Sequence, residues 1–135
     1  FQDSLSQSSQ YRLCFSVGGD YMRSRAYELI RSLLRNEYEF DTVLSYNDGM
    51  TLGVIDALEE NGLRPGSDVR IFSLGGGESV MQAFSDGKIN ALGQCDLTDF
   101  GTTVIDLVWM LEQGGSPAES TLLPGTLLVN GGIGP

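Results

Sequence analysis

The feature that most constrains this chain is its alternation of short β-prone apolar runs with longer stretches of helical period. Tyr11–Val17, Thr42–Tyr46, Val69–Leu74 and Ile89–Cys95 read as strands. Between them, Met22, Ala26, Leu29, Ile30, Leu33 and Leu34 recur at helical spacing within residues 21–36, and Val54, Ile55, Ala57 and Leu58 do so within 50–61. Gly62 stands where a helix C-terminus would end. A short helix is expected over Glu78–Ser85, a longer one over Phe100–Gln113, and a last extended segment over Thr121–Val129, interrupted by Pro124. Strands separated by helices are joined by crossovers. The expected fold is therefore α/β: three layers, a mainly parallel sheet with helices on both faces. At 135 residues, 1–135 forms one domain.

In such a sheet, ligands bind outside the carboxyl ends of the strands. The residues that follow each strand thus share one edge: Gly18–Tyr21, Asn47–Asp48, Gly75–Glu78 and Gln94–Asp96. Composition narrows what that edge can do. The chain has no histidine, which removes Ser-His and Cys-His catalysis and the commonest transition-metal ligand. Its two cysteines, Cys14 and Cys95, lack metal-site spacing and lie on apolar runs, where buried free thiols are expected. The net charge of −10, from 8 basic and 18 acidic residues, argues against nucleic acid and anionic membranes as partners. Four of the basic residues, Arg23, Arg25, Arg31 and Arg35, share one helical stretch and read as a solvated face. No apolar run approaches the roughly 18 residues of a membrane span.

The Gly75-Gly76-Gly77-Glu78 turn lacks the Lys-Ser/Thr pair of a phosphate loop, and Glu78 brings negative charge to it. Asp20, Asp48, Glu78, Asp96 and Asp99 lie on or near the same edge, but no calcium-loop spacing is present, and carboxylates at strand ends commonly cap helices. No cofactor or metal is expected, and no enzymatic activity. Tyr21, Asn47 and Gln94 together offer an aromatic face and two amides that each donate and accept. That mixture suits a neutral polyol: polar groups for its hydroxyls, a ring for its C–H face.

At these residues the chain resembles the C-terminal lobe of type 1 periplasmic sugar-binding proteins, the ribose-binding-like solute receptors of ABC importers. The resemblance rests on GDYMRSRAYELIRSLL, FDTVLSYNDGMTLGVIDALEENG, DVRIFSLGGGESVMQAFSDGKINALGQCD and FGTTVIDLVWMLEQGG. These follow the family's order: a strand and then N-D-x-x-A-x-G, an apolar strand with a Gly-Phe-Asp-Gly turn, D-G-x-ϕ-x-A-x-ϕ-x-Q (ϕ apolar), and a final helix. It implies that Tyr21 stacks on a sugar ring, that Asn47 bonds its hydroxyls, and that Gln94 contacts it from the lobe edge. Asp48 is expected to support the turn and helix start. Gly75 stands where the family carries an Asp; Glu78 is the candidate to replace that carboxylate.

The resemblance also implies a non-catalytic, extracytoplasmic receptor, periplasmic or a membrane-anchored lipoprotein, that delivers a small-molecule ligand, a sugar, to an ABC permease. The alternative is the effector domain of a lactose-repressor-like regulator or of a membrane signalling receptor; Ile89-Asn90-Ala91-Leu92 stands where such repressors carry a Pro-x-Leu-Thr-like stretch. By the same resemblance, Phe1–Gln7 matches the second half of a helix. The N-terminal lobe and the lobe's first strand, interior between those at Tyr11 and Thr42, are then absent from this chain. The expectation is a lobe truncated at its N-terminus, with the gap filled by Thr121–Val129 or by self-association through unpaired strand edges.

Overall fold

The structure is a computed structural model that describes residues 10–95, 97–118, 120 and 123–131. Its elements, in order, are α1 (Arg23–Arg35), β1 (Thr42–Ser45), α2 (Asp48–Glu60), β2 (Arg70–Leu74), α3 (Glu78–Ser85), β3 (Ala91–Cys95), α4 (Leu97–Glu112) and β4 (Gly125–Val129). They form one four-stranded sheet in the order β1-β2-β3-β4. The first three strands are parallel, with Val43 opposite Ile71 and Phe72 opposite Ala91. β4 returns antiparallel beside β3, with Leu92 opposite Leu128. The expected mainly parallel α/β architecture is what forms.

Burial along β2 alternates: Ile71 and Ser73 are buried, whereas Arg70 and Leu74 on the opposite face are exposed. The buried face meets α2, and the core is assembled there from Val54, Ala57 and Leu58 of α2, Ile71 of β2, Val80 of α3, and Ile89 and Leu92 at β3. Leu58, Ile71, Ile89 and Leu92 are fully buried, each worth about 1.5–3 kcal/mol of removal from water. α1 adds Ala26 and Ile30. It crosses α2 closely enough that a β-carbon on Gly53 would come within 2.2 Å of the Arg23 carbonyl oxygen. Arg23 pins the crossing by a two-toothed ion pair, Nε to Asp56 Oδ2 at 2.8 Å and Nη2 to Oδ1 at 3.0 Å.

Side chains continue the ladder where backbone pairing stops. The Ile71 N–H donates to Asn90 Oδ1 at 2.8 Å, and Asn90 Nδ2 donates to the Gly66 carbonyl at 2.9 Å. Asn130, just past β4, donates from Nδ2 to the Ile89 carbonyl at 3.0 Å. In the α2–β2 loop, Arg64 grips Asp68 through its backbone N–H, Nε and Nη2. These bonds hold the Asp68 carboxyl well below the usual range, at about 2.

Four expectations change. Tyr11–Val17 forms no strand: the segment is largely exposed, with Tyr11, Leu13 and Val17 open to solvent. A β pattern becomes a strand only when a neighbour accepts its ladder, and the described residues offer this segment none. Cys14, within it, is exposed and free rather than buried. The C-terminal strand does not fill a gap beside β1; it pairs with β3 at the far edge, and β1 has a partner on one side only among the described residues. Finally, α4 begins at Leu97 rather than Phe100, and its apolar side chains Phe100, Val104, Ile105, Val108, Trp109 and Leu111 are exposed. The expected helix at Phe1–Gln7, the candidate carboxylate Asp96 and the start of the last segment, Thr121 and Leu122, lie outside the described residues.

Candidate functional site

The carboxyl ends of β1 and β2 open into a cleft of about 350 Å³, lined by Tyr46, Asn47, Asp48, Gly49, Leu74 and Gly75. β1 ends at Ser45 because Asn47 begins a helix. Its backbone is extended and its Oδ1 accepts the Met50 N–H at 2.7 Å, which caps α2. Its Nδ2 donates to the Tyr21 carbonyl at 3.2 Å, across 26 positions of sequence. An amide has four hydrogen-bonding positions, so one lone pair and one N–H of Asn47 remain for a ligand. The Asn47 carbonyl accepts the Thr51 hydroxyl at 2.8 Å. Thr51 has spent its proton there, so Ser73 donates in the buried 2.6 Å contact between the two hydroxyls. This ties the floor of the cleft to β2.

The glycine turn after β2 closes around Asp48. The Gly76 N–H donates to Asp48 Oδ1 at 3.0 Å and the Gly77 N–H to Oδ2 at 2.8 Å. Gly75 and Gly76 have φ of 153° and 147°, a region open in practice to glycine alone. A β-carbon on Gly75 would lie 1.7 Å from Asp48 Oδ1. The expected structural role of Asp48 thus has a geometry: one carboxylate caps the turn between β2 and α3 from the start of α2.

Of the four residues singled out in the sequence, Asn47 lines the cleft. Tyr21 is joined to it through its carbonyl, in a turn where Asp20 and Tyr21 take φ of 50° and 57°, and its side chain is largely exposed. Gln94 packs on the other side of the glycine turn; a β-carbon on Gly76 would meet its Nε2 at 3.0 Å. Glu78 opens α3 beside Gly77 and is exposed. Tyr46, the aromatic that lines the cleft itself, escaped the sequence reading, although its place at the end of β1 was the available signal. Among the described residues no basic side chain lines the cleft, and Asp48 is the one formal charge there. The surface is therefore suited to hydroxyls and unsuited to anions.

A periplasmic binding protein domain model matches residues 1–116. The galactofuranose-binding protein YtfQ of Escherichia coli (strain K12) is 28% identical over 130 residues, covering 94% of this chain and 41% of that protein. A Mycobacterium smegmatis protein solved in complex with beta-D-fucofuranose superposes with a TM-score of 0.85 at 28% identity, over 94% of this chain and 41% of that one. A periplasmic sugar-binding protein from Pseudomonas fluorescens does so with a TM-score of 0.76 at 28% identity, over 86% and 35%. The chain spans less than half the length of each. The strand-to-helix seams, the cleft between them and the match over residues 1–116 agree, and the chain belongs to the periplasmic binding protein domain family.

Proposed function

We propose that this chain is the C-terminal lobe of an extracytoplasmic receptor that binds a neutral sugar without chemical change and passes it to an ABC permease. The observation that carries the reading is the cleft at the ends of β1 and β2. It combines an amide with spare donor and acceptor capacity, a carboxylate, an aromatic ring and, among the described residues, no cation. Neutral polyols need that set, and proton-transfer chemistry does not. The furanose form is the first to test, because one relative is named for galactofuranose and a similar structure holds beta-D-fucofuranose. Tyr21, Asn47 and Gln94 are proposed as ligand contacts. A lipid-anchored receptor at the cell surface fits as well as a periplasmic one.

Receptors of this kind close two lobes about the ligand. The chain by itself holds one side of a cleft and is expected to bind weakly. It is also proposed to self-associate through the open edge of β1; sedimentation showing a monomer at all concentrations would count against that. The functional reading is tested by thermal-shift and calorimetric titration of the full-length protein with neutral pentoses, hexoses and their furanose glycosides. Ligand that binds only the folded state raises the melting point by mass action. Failure of every neutral sugar to do so would overturn the reading.

A further inference from the structure

The Asp48 carboxylate is held by two backbone donors, Gly76 and Gly77, at 3.0 and 2.8 Å. A carboxylate offers about four lone-pair positions, so roughly half its accepting capacity is left. The side chain is half-buried and lines the cleft next to Asn47. Nothing in the facing turn competes with it, because Gly75, Gly76 and Gly77 carry no side chains. Its two oxygens occupy the volume those side chains would enter: a β-carbon on Gly75 would lie 1.7 Å from Oδ1, and one on Gly77 2.6 Å from Oδ2. The neighbouring strand end thus places a carboxylate against the glycine turn, held there by two backbone donors before any ligand arrives. Glu78 stands exposed on the first turn of α3 and does not line the cleft.

We propose that Asp48, rather than Glu78, is the acceptor that grips ligand hydroxyls in this cleft, and that it selects neutral polyols over anionic sugars. The proposal rests on the sugar-binding reading above and assigns its specificity. Two N–H donors fix the carboxylate's orientation, so accepting a hydroxyl costs little reorganisation. A phosphate or uronate at the same place would meet uncompensated like charge. Asp48 therefore has two duties, one toward the turn and one toward the ligand, and the two are separable by experiment.

The test is calorimetry on the full-length protein with L-arabinose, D-galactose, D-ribose and myo-inositol, each beside its monodeoxy derivatives, for the native protein and Asp48→Asn. For the sugar that binds best, one deoxy derivative is expected to lose about tenfold or more in the native protein, the worth of a hydrogen bond to a charged group. Asp48→Asn should weaken the parent sugar by a similar factor and erase most of its advantage over that derivative. If the variant weakens parent and deoxy sugars equally, Asp48 serves only the turn and the proposal is overturned. The panel is extended to the furanose glycosides of these sugars if none of the four binds; if none of those binds the native protein either, the sugar-binding reading itself fails and takes this one with it. Should Asp48→Asn not fold, the Asp48 carboxyl carbon resonance of the native protein decides. It must move with the parent sugar and stay still with the deoxy derivative; equal movement with both overturns the assignment.

Discussion

Asp48 Oδ1 sits where the side chain of residue 75 would begin, 1.7 Å from the position of a β-carbon on Gly75. The two positions are 27 apart in sequence and belong to consecutive strand-to-helix seams. Gly75→Ala should therefore do two kinds of harm, expelling the carboxylate and forcing alanine to φ near 153°. A destabilisation of about 2 kcal/mol or more is expected, measured by urea unfolding. A loss under 0.5 kcal/mol would mean that the turn and the carboxylate are not coupled as described.

Asn47 joins two functions that substitution can separate. Asn47→Ala removes the cap of α2 and should cost about 1 kcal/mol. Asn47→Asp keeps an acceptor for the Met50 N–H but loses the donor to the Tyr21 carbonyl. It should retain most of the stability while freeing the Tyr21 turn, seen as faster amide exchange at Met22 and its neighbours. Equal destabilisation by the two variants would contradict this division.

Gly53 is where α1 and α2 cross. A methyl group there would be driven to 2.2 Å from the Arg23 carbonyl oxygen, a backbone atom that cannot rotate away. Gly53→Ala is expected to destabilise by about 1–3 kcal/mol, although alanine favours helix in isolation. A stabilised Gly53→Ala protein in thermal unfolding would show that the helices part without cost.

Asp68 sets a pH dependence. Its folded pKa is about 2, below the ordinary 3.8, because Arg64 donates to it three ways. A depressed acid stabilises the fold at pH above its unfolded value and loses that contribution as pH falls toward 2. Arg64→Ala should raise the Asp68 pKa toward 3.8, followed by its side-chain carboxyl resonance during acid titration. The stability difference between the two proteins should be present at neutral pH and shrink below about pH 3.8. Because the pair is exposed, salt should also diminish it. An unchanged titration in the variant would rule the clamp out.

Most elements were legible because their signals are local. The helical period in residues 50–61 and the Gly62 stop after it need no distant partner to be read. Asn47 and Asp48 were recognised as seam residues, and the helix-capping role is visible in the Asn-Asp-Gly run itself. Tyr11–Val17 was misread for the complementary reason: its pattern is local, but a strand depends on a neighbour. Tyr46 was passed over because an aromatic at a strand end is equally compatible with either side of the sheet until the twist and the turn opposite are fixed.

By itself, the sequence determined the order of strands and helices from α1 onward, the absence of histidine chemistry and the polar seams that follow β1, β2 and β3. Periodicity, composition and chain direction depend only on near neighbours. Only the tertiary structure decided that Asp48 reaches across to the Gly76 and Gly77 amides, that Asn47 spends half its amide on the cap and on Tyr21, and that α4 lies exposed. Each of these is a distance between segments remote in sequence. Such distances are fixed by how α2 packs on β1 and β2, which no local pattern encodes.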